Sequence, residues 1–283
     1  MSCQIDTSGS QPFYIDLELS GTFTNETLAA FENAVDRWEE VITHQPPCLT
    51  SSTHPAGRLL IKASIIYIDG ESGVLGQAAP EFVRYDCRGI SVEGFVQFDL
   101  ADVEYMQDSG IFEGVVLHEM GHVIGVGSLW TLGGCSTCYT DSDPTYKCDA
   151  AKKVYNDLLG NSGGDEGEII ELDGSAGTYC SHFDEDIFDD ELMTGWVDST
   201  MYLSKMSAAS LEDLELVVDP SMVDEYTLPA FRSSVQGPAA SKIDSDAYTG
   251  EIRDVPVEKD IKVVDENDQI VDIIPGYMST VSS

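Results

Sequence analysis

The chain has 283 residues, 42% of them hydrophobic, which is enough for a real core in one large domain or two modest ones. Its 51 acidic and 14 basic residues give a net charge of −37, which argues against nucleic acids and anionic membrane surfaces as partners and fits a strongly solvated surface. No apolar run approaches the roughly 20 residues needed to cross a bilayer, so no transmembrane segment is expected, and the polar residues 1–11 carry no readable signal peptide.

Taken in order, Phe13, Ile15, Leu17 and Leu19 alternate and predict a half-buried strand over 12–19. A helix over 24–43 follows, with Thr24 as cap and Leu28, Phe31, Val35, Trp38 and Ile42 on its apolar face. Residues 59–68 are rich in β-branched side chains and predict a central strand. A loop with Gly73, Gly76 and Gly89 leads to a short strand at 95–98. Helical spacing returns over 111–126, with Asp108 or Ser109 as the expected N-cap and Gly125 and Gly127 as residues that tolerate positive φ at its exit.

Residues 131–181 are poor in apolar side chains and read as an insertion rather than core, with one helical piece at 150–159. Another amphipathic helix is expected over 203–217. Residues 232–255 have the composition of a linker or tail. Two short strands, 261–264 and 269–274, flank Asp265 to Asp268 and suggest a hairpin that either packs on the main domain or belongs to a further module.

The chemistry concentrates in His118-Glu119-Met120-Gly121-His122. Two imidazoles four residues apart share one helix face, about 6 Å between Cβ atoms, and suit a single Zn²⁺. Glu119 is placed to act as general base toward water at that ion. A third ligand is missing locally, because Ser128 stands where the longest form of the motif has a further histidine. A glutamate from a following helix is the other option. Of the remaining histidines, His44 and His54 flank Pro46-Pro47-Cys48 and read as surface residues, and His182 precedes Met193 by 11 positions. Met193 alone reads as a core side chain.

Seven cysteines favour disulfides in an oxidising compartment. The odd count leaves one thiol over, for which terminal Cys3 is the candidate. The competing idea, a second zinc site from Cys135, Cys138, Cys148 and Cys180, has irregular spacing. Residues 141–200 hold 16 acidic residues against 3 lysines. Asp141, Asp143, Asp165, Glu166 and Glu168 permit a Ca²⁺ site without specifying one.

The His118–His122 motif with Gly125, followed by His182 and then Glu191-Leu192-Met193-Thr194-Gly195, resembles the leishmanolysin family of zinc metallopeptidases, a branch of the metzincins. Gly73 to Gln77, Val96 to Asp99, Leu129-Trp130, Ser210 to Leu214 and Tyr226 to Pro229 extend the likeness across residues 12–231. The resemblance implies an α+β fold: a twisted, mostly parallel sheet with an antiparallel edge strand, an active-site helix, and a C-terminal subdomain carrying the third histidine and a methionine turn. It implies a catalytic domain over 12–231 between a short N-terminal segment (1–11) and the tail (232–283). By residue it implies His118, His122 and His182 as ligands of one Zn²⁺, Glu119 as general base and Met193 as the Met-turn. Gly94, Phe95, Val96, Gln97 and Phe98 would be the exposed strand that pairs with an extended protein or peptide substrate. The expected activity is that of a monomeric zinc endopeptidase, extracellular or at the cell surface. The alternatives are a metal-stabilised adhesion or binding protein of the same fold that cleaves nothing, and a Ca²⁺-dependent structural protein. Glu119 beside intact ligands favours catalysis.

Overall fold

The computed structural model describes residues 9–48, 51–85, 89–131, 138, 145–174, 177–232 and 260–274. Cys3, Cys87, Cys135, Asp141, Asp143 and the expected linker beyond Arg232 lie outside them. The first half of the chain forms β1 (Gln11–Pro12), β2 (Tyr14–Ser20), α1 (Asn25–Val41), β3 (Ile42–Gln45), β4 (Arg58–Ile66), β5 (Gly76–Arg84), β6 (Ile90–Asp99), α2 (Val103–Asp108) and α3 (Phe112–Ile124). The second half forms α4 (Asp149–Leu158), α5 (Glu185–Phe188), α6 (Lys205–Asp213), β7 (Val217–Val218), α7 (Pro229–Arg232), β8 (Ile261–Val264) and β9 (Ile270–Ile274).

The main sheet has the order β2-β4-β6-β5-β8-β9. Strands β2, β4 and β6 run parallel, β5 is antiparallel to β6, β8 is parallel to β5, and β9 closes a hairpin on β8. This is a mixed α/β, mostly parallel architecture. The antiparallel strand is β5, and the hairpin adds two strands beyond its second half, so that β5 has no strand outside it only over 76–80 among the described residues. A second, small sheet joins β1, β3 and β7.

Parallel β2 and β4 need a long crossover, and α1 supplies it. Its start is fixed by a capping box in which Thr24 and Thr27 each satisfy the other's backbone N–H, an arrangement worth about 1 kcal/mol. Its buried stripe, Ala30, Phe31, Ala34, Trp38 and Val41, packs on α3 and on one face of the sheet. Phe31, Phe98 and Phe112 meet edge to face with centroids 5.2–6.2 Å apart, which orients α3 on the sheet. Gly94 brings them closer still, since a Cβ there would lie 2.5 Å from Val123 Cγ1.

The β6 strand runs from Ile90 rather than from residue 95, and β5 occupies what read as a glycine-containing loop. The stretch 131–181 is also less peripheral than its composition suggests. Cys138, Tyr146, Ala151, Ile169 and Ile170 are all buried in the main core, and the Trp130 ring meets both Tyr146 and Phe183. Asp213 anchors this region from α6, accepting from the Ala150 and Ala151 amides at 2.8 and 3.0 Å and from the Tyr146 hydroxyl at 3.0 Å.

The C-terminal hairpin packs on the main sheet. Val263 and Val264 are buried, Lys262 Nζ stands over the Phe82 ring at 4.6 Å, and Asp268 in the turn reaches His54. No helix among the described residues is long and apolar enough to cross a membrane.

Candidate metal centre

Helix α3 starts at Ile111 without a side-chain cap, because Asp108 and Ser109 close α2 instead. Its exit matters more. Gly125 takes φ 137° and Gly127 φ 74°, conformations that L side chains rarely adopt. The reversal carries the Val126 carbonyl back to His122 Nδ1 at 2.9 Å. At Gly127 a Cβ would lie 1.8 Å from the Ser181 carbonyl oxygen, so the bare backbone lets the His182 segment lie against the helix end.

Those contacts bring three imidazoles together. The Nε2 atoms of His118, His122 and His182 are 2.9, 3.1 and 3.2 Å apart, and the rings are at most 3% exposed. Every Nδ1 faces a backbone carbonyl: Leu192 at 2.6 Å for His118, Val126 at 2.9 Å for His122 and Thr178 at 3.1 Å for His182, whose Nδ1 also lies 3.0 Å from the Ser181 hydroxyl. Each Nδ1 therefore carries the proton and donates it, which leaves three Nε2 lone pairs pointing at one another. Lone pairs packed this way repel, and a cation between them turns the repulsion into coordination. Ligands about 2.0–2.1 Å from a tetrahedral Zn²⁺ sit about 3.3 Å from each other, close to the spacing found. The donor set fits a metal ion, and the carbonyls serve as the outer partners that fix tautomer and ring orientation.

Met193 is fully buried against α3. It packs where a Cβ on Gly121 would come within 2.7 Å of its sulfur, with Trp38 3.1 Å from the same point. Trp38 Nε1 also donates to the Leu117 carbonyl at 2.9 Å. The turn bearing Met193 is held by Glu191, whose carboxylate accepts from the Met193 amide at 2.6 Å and from the Ser204 and Ser207 hydroxyls at 2.6 and 2.7 Å. Burial pushes the Glu191 carboxyl above its ordinary value, against the opposing pull of these donors.

Glu119 is buried one residue from His118. Its Oε1 lies 2.9 Å from where a Cβ on Gly76 would stand, so the start of β5 passes directly over the carboxylate. The strand expected to be exposed, Gly94 to Phe98, is interior. It is paired to β4 on one side and to β5 on the other throughout its length. Among the described residues, the outer side of β5 over 76–80 has no strand on it, and β8 takes only Phe82, Val83 and Arg84.

The remaining candidates fall elsewhere. Ser128 donates to the His122 carbonyl and is no ligand. His44 is half-buried in β3. His54, expected at the surface, is 6% exposed, because the hairpin turn covers it. Cys138 and Cys148 form a disulfide and so cannot be zinc thiolates, and Cys48 is disulfide-bonded as well. Of the acidic residues that permitted Ca²⁺, Asp165 pairs with Lys152 at 2.5 Å and Glu166 accepts from Asn161 at 3.0 Å. The carboxylates that do converge are Glu185, Asp189 and Asp198, with oxygens within 4.8 Å. No protein-family model matches this chain, and no curated protein is found to be similar to it.

Sequence reasoning missed the three carbonyl partners, which have no side-chain signature, the part played by Gly76, and the close approach of Ser181 at Gly127. It also passed over Glu191, although that residue stands two positions before Met193 in the same turn.

Proposed function

We propose that this chain is a zinc-dependent endopeptidase with a metzincin-type, leishmanolysin-like catalytic domain. The observation that carries the reading is the convergence of the Nε2 atoms of His118, His122 and His182, two of them on the helix that bears Glu119 and faces the start of β5. His118, His122 and His182 would hold the ion, and Zn²⁺ when bound supplies Lewis acidity that lowers the pKa of water and polarises a peptide carbonyl. Glu119 accepts the proton from the attacking water and delivers it to the leaving amine, so no covalent acyl intermediate is needed. The surrounding carbonyls hold the imidazoles in the ligating tautomer before any substrate arrives.

An extended substrate would add as a strand to the outer side of β5 over 76–80, where Gly76 brings the backbone next to Glu119. This replaces β6 in the role first given to it. The disulfides favour an oxidising compartment, and hence an extracellular or cell-surface setting.

The test combines zinc analysis with a casein-cleavage assay on the wild type and on Glu119→Ala. Glu119→Ala should keep its zinc and lose activity by about 10²–10⁴-fold. A variant that cleaves at the wild-type rate would refute the general-base role. A wild type that binds zinc and cleaves nothing would point instead to the non-catalytic binding protein.

A further inference from the structure

Glu191 is fully buried, and nothing in the proposed chemistry uses it. Its two oxygens divide their work between two elements. Oε2 accepts from the Met193 amide at 2.6 Å, within its own turn. Oε1 accepts from the hydroxyls of Ser204 and Ser207 at 2.6 and 2.7 Å and from the Ser204 amide at 3.4 Å. Ser204 is the N-cap of α6, its Oγ also accepting from the Met206 amide at 2.9 Å, so the carboxylate sits where the helix presents its positive end. Between the two oxygens the turn is clamped to α6. The residue inside the clamp, Leu192, supplies the carbonyl that receives His118 Nδ1 at 2.6 Å, the shortest of the three imidazole anchors. The Leu192 amide donates to the Tyr202 carbonyl at 2.8 Å and the Met193 carbonyl accepts from the Phe183 amide at 2.9 Å. The same turn is thereby tied to the residue following His182.

We propose that Glu191 is a positioning residue of the metal centre: by clamping the turn to α6 it fixes the Leu192 carbonyl on His118 and the Met193 side chain beneath α3, and so sets the affinity of the site for its ion. The inference rests on the reading of His118, His122 and His182 as metal ligands. Glutamine keeps most of the clamp: its oxygen can face the Met193 amide and its NH₂ can donate to the serine hydroxyls, which rotate to accept, while the Ser204 amide, at 3.4 Å the longest of the four bonds, loses its acceptor. Alanine or leucine keeps none of these bonds.

The measurement is zinc affinity of the metal-free protein, by competition with a chromophoric chelator, alongside the thermal midpoint of the metal-free form. The wild type is titrated first. If it binds no zinc, the ligand reading fails and this inference falls with it. If it binds, Glu191→Ala should weaken zinc by about 10–100-fold, the range for loss of an outer partner of a metal ligand, while Glu191→Gln stays close to the wild type. A folded Glu191→Ala with wild-type zinc affinity would overturn the inference alone, even if its thermal midpoint had dropped, since the residue would then be structural only. Glutamine weakening zinc as much as alanine would overturn it too. Should Glu191→Ala fail to fold, the double variant Ser204→Ala/Ser207→Ala removes two donors from the clamp and should still weaken zinc several-fold. Unchanged affinity in that variant refutes the proposal.

Discussion

His54 is buried, like the rings of the His118, His122 and His182 cluster, yet the atoms that surround it are of the opposite kind. At His54 both ring nitrogens face carboxylates: Nδ1 is 2.8 Å from Asp268 and Nε2 is 3.2 Å from Glu93. At the cluster each Nδ1 faces a neutral carbonyl and each Nε2 faces other Nε2 atoms at 2.9–3.2 Å. Two anions around one imidazole favour the protonated ring, which then donates twice. Three Nε2 atoms converging on one point, each ring anchored at Nδ1 by a carbonyl, make a donor set that could hold a metal cation. Burial is common to both; the partner of the second nitrogen decides whether a histidine holds a proton or a metal.

That contrast breaks most visibly if a ligand is removed. His182→Ala should weaken zinc by at least about a hundredfold, given that about 10–16 kcal/mol is spread over the ligands of a zinc site, and chelator competition reads it directly. Full zinc affinity in that variant would show that the convergence of three rings is packing alone. Gly127→Ala tests the backbone that permits the convergence. A Cβ at φ 74°, 1.8 Å from the Ser181 oxygen, forces the His182 segment away, and should cost about 2–4 kcal/mol of stability as well as zinc affinity. Denaturant unfolding with and without zinc separates the two effects. A variant as stable as the wild type would mean that the close approach is not required.

The two histidine sites also differ in how far the sequence discloses them. Two histidines of the cluster are visible as a helical i, i+4 pair, and the helix exit at Gly125 and Gly127 is visible because few other residues accept that backbone. The third histidine, 60 residues on, is reached only through the likeness around Met193, since no local periodicity connects it to α3. His54 looked exposed because its neighbours are serine, threonine and proline. What buries it is a hairpin turn more than 200 residues away, a contact no window of sequence contains. Strand β5 was hidden for a different reason. Ala78-Ala79-Pro80 breaks the alternation that marks a strand, and the register shifts between Pro80 and Phe82 absorb the irregularity. With β5 unseen, β6 took its place as the supposed edge. The short apolar pairs in 131–181, such as Ile169-Ile170, fill the core from a polar background, so average composition misjudged that stretch.

The mildest expected effect tests the carboxylate-bound histidine. Burial alone would lower the pKa of His54, but hydrogen bonds to Glu93 and Asp268 outweigh it and the net shift is upward. Glu93 is lowered, chiefly by its bond to His54 and with help from Lys62. Asp268 is lowered although burial opposes it, through bonds from Ser51, Thr53 and His54. Arg84 adds a bond from Nη1 to the His54 carbonyl at 3.4 Å, and Glu81 lies 3.7 Å from Lys62. Of the two partners of His54 only Asp268 belongs to the hairpin, so docking gains the share of the upward shift that Asp268 causes, in full below the undocked pKa of the ring and lost as pH rises through the docked one. The lowered carboxylates contribute above their ordinary range, and that contribution fades as pH falls through their folded values. Hairpin docking should therefore be firmest in mildly acid solution, above the carboxylate range and below the docked pKa of His54, and weaken toward alkaline pH. Hydrogen exchange of the β8 amides, corrected for intrinsic rate, reads this opening free energy. In His54→Gln the alkaline loss should vanish and docking should be weaker by about 1–3 kcal/mol at pH 6. If the wild-type profile is flat, or if the variant keeps the same slope, His54 does not hold the proton and the contrast between the two sites collapses. Zinc affinity at neutral pH should be unaffected in that variant, because the hairpin and the cluster share no hydrogen-bond partner among those that hold the rings.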